Sequence, residues 1–180
     1  MHRVVVMLDY ANIDRAARDR NQSIDYKALL DYLASEVDGR YLVEAFCYFP
    51  VDPRNPHARD QEIDELSMDG FFMRTKLGTI AGDTHKCNFD VEITMDMMRV
   101  AHVIKPTILV LCSGDGDFVP AVQYVRSMGV RVELASFIDT TARAAILNCS
   151  SFVDLDVYLR GSIEGGPQSE PQGADTPAAS

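Results

Sequence analysis

The sequence predicts an α/β protein: a mostly parallel sheet of five or six strands held between two layers of helices, as in Rossmann-like three-layer sandwiches. Three observations carry this expectation. Uniformly apolar runs such as Val4-Val5-Val6-Met7-Leu8 and Ile108-Leu109-Val110-Leu111 read as strands covered on both faces. Segments with apolar residues at helical spacing fall between such runs, and strands that alternate with helices imply parallel pairing with helices on both faces. Polar stretches rich in Asp and Gly, above all "CSGDGDF" at Cys112 to Phe118, follow the strand ends.

The elements follow in order. Val4 to Leu8 is the first strand, ended by Asp9 and followed by a loop. Ser23 is a suitable N-cap for a helix from Ile24 to about Glu36, with Ile24, Leu29, Leu30, Leu33 and Val37 at helical spacing and Gly39 as its stop. "YLVEAFCYFP" reads as a strand closed by Pro50. The polar loop "VDPRNPHARD" leads into a short helix over Gln61 to Met68, and "FFMRTKL" supplies a third strand. "GTIAGDTHKCN" reads as a loop. Ile93, Met97, Val100 and Ile104 then mark a helix from Phe89 to Ile104, which Pro106 closes. The strand Thr107 to Cys112, the helix "FVPAVQYVRSMG", a fifth strand "VRVELASF" and the short helix "TTARAAILN" lead to Phe152 to Leu159. Right-handed crossovers favour the strand order 3-2-1-4-5, which sets the strand ending at Leu8 beside the one ending at Cys112.

A chain of 180 residues, 47% hydrophobic and 24% charged, suits one buried core. The expected folded domain is 1–160. Residues 161–180, "GSIEGGPQSEPQGADTPAAS", read as a disordered acidic tail, because they hold almost nothing apolar to offset the entropy of ordering them. The tail carries three of the 27 acidic residues and no Lys or Arg, so 24 acidic and 17 basic side chains remain in the folded part. This balance argues against a non-specific polycationic grip on a phosphate backbone and leaves room for a local basic strip or bridging cations. Cys47, Cys87, Cys112 and Cys149 form no CxxC pair and are expected to be reduced thiols. "MHRVVVMLDY" has five consecutive apolar residues, too few for a signal peptide or a membrane span, so a cytoplasmic location with no membrane partner is expected.

Asp9, Asp90, Asp115 and Asp117 each fall where an element meets a loop near the carboxyl ends of the strands, so they can converge without forming a local motif. Clustered carboxylates must hold either protons or a cation, and a set of hard oxygen ligands suits Mg²⁺ or Mn²⁺. On a wheel at ~100° per residue, Asp90 and Asp96 fall about 60° to either side of Ile93 and flank the apolar stripe. Gly114 and Gly116 are read as allowing a sharp turn and the close approach of a phosphate, and Ser113 as a hydrogen-bonding partner for a water or a phosphate oxygen. Plainer roles stand beside each of these: turn residues or N-caps for Asp115 and Asp117, a first-turn helix charge for Asp90, a buried or surface carboxylate for Asp96, an N-cap for Asn12 and a solvated side chain for Lys86. Arg54, His57, Arg59, Arg74 and Lys76 are the basic concentration nearest the expected crevice, either an ordinary surface or a strip that guides a nucleic-acid backbone.

"VVVMLDYANI", "KCNFDVEITMDMM" and "ILVLCSGDGDFVPAVQYVRSMGVRVEL" resemble, in order and spacing, the NYN domains of the LabA-like family, a branch of the PIN-like nuclease superfamily. The resemblance runs from about Val4 to Leu155. It implies a divalent-metal-dependent ribonuclease, with Asp9, Asp90, Asp115 and Asp117 as catalytic metal ligands and Asp96 as a further acidic position of the pattern. Asn12 and Ser113 would act in support, and Lys86, Arg54 and Arg59 are candidate substrate-binding residues. RNA is the implied partner and Mg²⁺ or Mn²⁺ the implied cofactor; a homodimer is left open. The family often carries an Ala-Asp pair shortly before a Phe, where this chain has Cys149 and Ser150, so whatever that aspartate contributes would be missing. A nuclease fold that binds RNA or regulates without cutting is the alternative. A haloacid-dehalogenase-type phosphatase would want a second Asp at position 11, which is Ala, and a receiver domain would want an acidic pair at the first strand.

Overall fold

The computed structural model describes residues 1–82 and 84–164. The chain runs β1 (His2–Asp9), α1 (Tyr10–Arg18), α2 (Tyr26–Leu33), β2 (Arg40–Val51), α3 (Asp60–Met68), β3 (Phe72–Leu77), β4 (Thr79–Ala81), β5 (Thr84–Lys86), α4 (Asp90–Val103), β6 (Ile108–Cys112), α5 (Val119–Ser127), β7 (Arg131–Ser136), α6 (Arg143–Asn148), β8 (Ser151–Asp154) and α7 (Leu155–Glu164). Six strands form one parallel sheet in the order β3-β2-β1-β6-β7-β8. This is the expected doubly wound order with one more strand at its far edge.

Alternation along the strands divides the core into two layers. Val4, Val6, Leu8, Cys47, Phe49 and Val110 point to the face covered by α1, α2, α3 and α7. Val5, Met7, Phe46, Tyr48, Leu109 and Leu111 point to the face covered by α4, α5 and α6. Both faces of β1 and β6 are therefore dry, which is why their sequences are apolar without interruption.

Some elements depart from the sequence reading, each for a local reason. The stretch after β1 is a helix and not a loop: the Asp9 carboxylate accepts from the Asn12 N–H, and Tyr10, Ile13, Ala16 and Ala17 bury one face of α1. The next helix is shorter than Ile24 to Glu36, because Asp25, not Ser23, caps it by accepting from the Ala28 N–H at 2.9 Å. Strand β2 continues through Pro50 to Val51. Pairing with β1 ends at Tyr48, so Pro50 meets a strand only on the β3 side, opposite Lys76. The expected loop after Leu77 contains an antiparallel hairpin, β4 with β5, turned at Gly82 with φ +62°. Helix α7 runs four residues past the expected domain boundary at 160, and residues 165–180 of the expected tail lie outside the described residues.

Among the described residues no helix is long and apolar enough to cross a membrane.

Candidate functional site

The winding of the sheet reverses between β1 and β6, and the last pair of their ladder is Leu8 with Cys112. This register sets Asp9 and Ser113 side by side at the carboxyl edge, where open parallel sheets form their crevices. The crevice is a cleft of about 330 Å³ lined among others by Asp9, Asn12, Arg15, Asp90, Asp115 and Thr140.

Asp9 forms the floor. The Ser113 hydroxyl donates to its Oδ2 at 3.1 Å and the Asn12 N–H to its Oδ1 at 3.4 Å. Burial is the largest influence on this carboxyl and pushes its pKa up to about 6; the two hydrogen bonds oppose the shift, and the charges of Asp90 and Asp115 add to it. Asp9 therefore holds its negative charge reluctantly next to two more carboxylates.

Asp115 begins the turn after β6. Its amide donates to Ser113 Oγ at 3.2 Å, and its Oδ1 accepts from the Asp117 amide at 2.9 Å. Asp90 opens α4, where the Asn88 side chain clasps it twice: Asn88 Oδ1 accepts from the Asp90 amide at 2.6 Å, and Asn88 Nδ2 donates to Asp90 Oδ2 at 2.5 Å. Asp90, Asp115 and Asp117 each bring one carboxylate oxygen within 4.8 Å of the other two. The first two are half-buried and Asp117 is exposed. The four aspartates singled out in the sequence thus gather at one end of the sheet, three of them tightly and Asp9 beneath.

Asp96 lies elsewhere. Two turns farther along α4, it accepts from the Tyr48 hydroxyl at 2.9 Å and pairs with Arg99 at 2.9 Å and Arg74 at 3.4 Å. This carboxylate is committed to an ion-pair network that ties α4 to β2 and β3.

The expected basic strip is neutralised from within. Arg54 pairs with Asp52, His57 with Asp60, Arg59 with Glu62, Arg74 with Asp96 and Lys76 with Glu92. Arg59 also donates to Tyr10 Oη and lies over the Tyr10 and Phe49 rings, so it is part of the packing of α3. Neither Arg54 nor Arg59 lines the cleft, and neither does Lys86, which is exposed on β5.

The glycines also have a packing role that the sequence did not show. Neither has positive φ. A Cβ on Gly114 would come within 2.9 Å of Ser136 Oγ, 3.0 Å of the Thr140 carbonyl oxygen and 3.1 Å of Thr141 Cα, and one on Gly116 within 3.0 Å of Ala142 Cβ. They are small because the segment after β7 packs directly on this turn, with the Ala142 N–H donating to the Gly114 carbonyl at 2.9 Å. The amides of Gly114, Asp115 and Asp117 already donate to Asn12 Oδ1, Ser113 Oγ and Asp115 Oδ1. The loop thus presents its carboxylates with three of its amides already committed.

Cys149 and Ser150 are far from this chemistry. Ser150 exchanges backbone and hydroxyl hydrogen bonds with Val132, whereas the cleft lies at the other end of β7, beyond Ser136. Val132 and Ser136 are four positions apart on the strand, roughly 13 Å, so an aspartate at 150 would not reach the cluster.

Sequence reasoning missed Asn88 and Arg15. An Asn two residues before a helix start is a legible side-chain turn signal. Arg15 lay in a stretch read as loop, which hid its facing.

A family model described as NYN domain matches residues 3–156. The chain is 26% identical to the low amplitude and bright protein LabA of Synechococcus elongatus, over 94% of this chain and 91% of that one. A crystal structure of a protein of unknown function, VPA0982 of Vibrio parahaemolyticus, superposes with a TM-score of 0.72 at 23% identity, covering 86% of this chain and 93% of the other, and so shares the fold.

Proposed function

The chain belongs to the NYN domain family, a nuclease-type fold, and from that premise we propose that it is a divalent-metal-dependent ribonuclease which hydrolyses RNA phosphodiester bonds at the Asp9–Asp90–Asp115–Asp117 cleft. The observation that carries the reading is the approach of three carboxylate oxygens to within 4.8 Å, over a fourth carboxylate whose pKa is already raised by burial.

The donor set fits a hard cation. Three carboxylate oxygens this close repel one another, a cation between them removes that repulsion, and carboxylate oxygens suit Mg²⁺ or Mn²⁺ over softer metals. Asp90, Asp115 and Asp117 would hold the ion, with Asp9 beneath them. When bound, the cation supplies charge neutralisation at the phosphate and lowers the pKa of water.

The chain's own residues supply the rest. Asn88 fixes Asp90, Ser113 joins Asp9 to the Asp115 backbone, and Asn12 holds the turn at Gly114. The chemistry calls for water as nucleophile: its oxygen forms the new bond to phosphorus as the bond to the 3′ oxygen breaks in line. Cys87 lines the cleft, but burial pushes its thiol up, away from the thiolate that attack would need.

The test is cleavage of labelled single-stranded and hairpin RNA in Mg²⁺, in Mn²⁺ and in EDTA, with Asp9→Asn and Asp115→Asn alongside. Metal-dependent cutting that either substitution abolishes is expected. RNA bound but left intact by the wild type under every metal condition would overturn the hydrolytic assignment.

A further inference from the structure

The cleft carries one cation that the sequence reading passed over. Arg15 lies one helical turn beyond Asn12 on the cleft side of α1, its side chain exposed. Every member of the expected basic strip is tied to a carboxylate, yet Arg15 forms no ion pair among the described residues.

The contrast within α1 is sharper still. Two Arg–Asp pairs sit four residues apart on this helix. Asp14 with Arg18 forms a salt bridge at 2.9 Å, and Arg15 with Asp19 forms none. The order of the residues accounts for this: an acid placed N-terminal to a base is the favourable arrangement along the helix, and the reverse is the poorer one. Arg18 is thus satisfied internally, and Arg15 is left, among the described residues, without an ion pair beside a cleft whose other charged lining residues there, Asp9, Asp19, Asp90 and Asp115, are acidic.

A polyanion entering such a cleft is repelled at every other charged position. Cations held by the aspartates offset this only where the bond is cut. Arg15 stands about six residues along α1 from Asp9, roughly 9 Å of helix rise, a separation that suits the phosphate neighbouring the one at the aspartates. Its planar fork matches two phosphate oxygens.

We propose that Arg15 binds a backbone phosphate of single-stranded RNA flanking the one at the aspartate cluster, and so sets the line along which the strand crosses the cleft. The proposal rests on the reading of the cleft as an RNA site. It makes Arg15 a substrate-gripping residue that leaves the hydrolytic step itself to the aspartates.

The test measures binding of a fluorescein-labelled single-stranded oligoribonucleotide by anisotropy from about 25 to about 200 mM KCl, with cleavage kinetics in Mn²⁺ in parallel. The proteins are wild type, Arg15→Ala, Arg15→Lys and Lys105→Gln, the last removing a cation at the opposite edge of the sheet. For Arg15→Ala we expect binding weakened about ten-fold, as for loss of one hydrogen-bonded charge, and a slope of log affinity against log salt shallower by about 0.7, the share of one single-strand phosphate. KM should rise while kcat holds. Arg15→Lys should restore the slope and only part of the affinity, and Lys105→Gln should match wild type. Wild-type affinity and slope in Arg15→Ala would overturn the assignment of Arg15 while leaving the RNA site standing. A wild type that binds no RNA would overturn both.

Discussion

Asn12 Oδ1 accepts a hydrogen bond from the Gly114 amide at 3.0 Å. One side chain on the first turn of α1 thus pins the turn that follows β6, and two segments 102 residues apart in sequence become one rim. The Asn12 amide meanwhile donates to Asp9, so the same residue fixes both the floor and the wall of the cleft.

Asn12→Ala should therefore cost more than a surface substitution. It strands the amide of buried Gly114, an expected loss of about 1–2 kcal/mol, and it releases the Asp115 turn. Urea unfolding should show the lower midpoint, and RNA cleavage should fall further than the loss of folded protein explains. Cleavage that only tracks the folded fraction would mean that the clamp is structural alone.

The two glycines of the turn separate by what each would strike. Gly114→Ala drives a Cβ into two backbone atoms and a serine hydroxyl at 2.9–3.1 Å, and backbone does not step aside cheaply; Gly116→Ala meets one methyl group at 3.0 Å. We expect Gly114→Ala to destabilise by about 1–3 kcal/mol and Gly116→Ala by distinctly less. Thermal melts of the two variants side by side decide the ranking, and equal losses would contradict the packing account. Adding Ser136→Ala should rescue Gly114→Ala only in part, because the contacts with Thr140 and Thr141 remain.

Much of this arrangement was legible before any coordinates. Continuous apolar runs ending in Asp9 and Cys112 fixed which strands are central, and the crossover rule made them neighbours, which is enough to bring Asp9 and Asp115 together. What stayed hidden depended on side-chain pairing across the fold. Asp96 satisfies the same wheel geometry as Asp90, and only the positions of Tyr48, Arg74 and Arg99 show that it is already committed. The basic strip looked available for the same reason, since the carboxylates that quench Arg74 and Lys76 come from α4, far along the chain. Gly114 and Gly116 read as turn residues because sequence reveals a missing side chain and not the segment packed against it.

The raised pKa of Asp9 sets a pH dependence with a definite sign. Its carboxyl titrates near 3.8 in the unfolded chain and at about 6 in the fold, so between those values the native state holds the extra proton. Stability of the metal-free protein should fall as pH rises through this window, by up to about 3 kcal/mol from this group. Asp9→Asn removes the buried charge and should flatten that part of the profile while abolishing cleavage. Chemical denaturation in EDTA from pH 4 to 7 measures it, and a wild-type profile no steeper than that of Asp9→Asn would refute the burial argument.

Divalent cation should reverse that penalty. Binding to the folded state alone stabilises by mass action, about 2.7 kcal/mol at a hundred times the dissociation constant. Melting temperatures should rise with Mg²⁺ or Mn²⁺ in the wild type and stay flat in Asp115→Asn, whose metal-free form should melt no lower than the wild type because a repulsive charge has gone. A cation response of equal size in both proteins would place the ion away from this cluster.

Asp90 and Asp96 lie on one helix and should fail in opposite ways. Asp90 faces two other carboxylates in the cleft, so Asp90→Asn relieves repulsion and should leave stability within about 0.5 kcal/mol while removing metal-dependent cleavage. Asp96 is mostly buried, accepts the Tyr48 hydroxyl and answers two guanidinium groups. Asp96→Ala leaves those groups unpaired and should cost about 1–3 kcal/mol, with cleavage per folded molecule preserved. Urea midpoints together with activity corrected for the folded fraction give the comparison. If Asp96→Ala abolished activity in a fully folded protein, the division of α4 into a cleft end and a packing face would not stand.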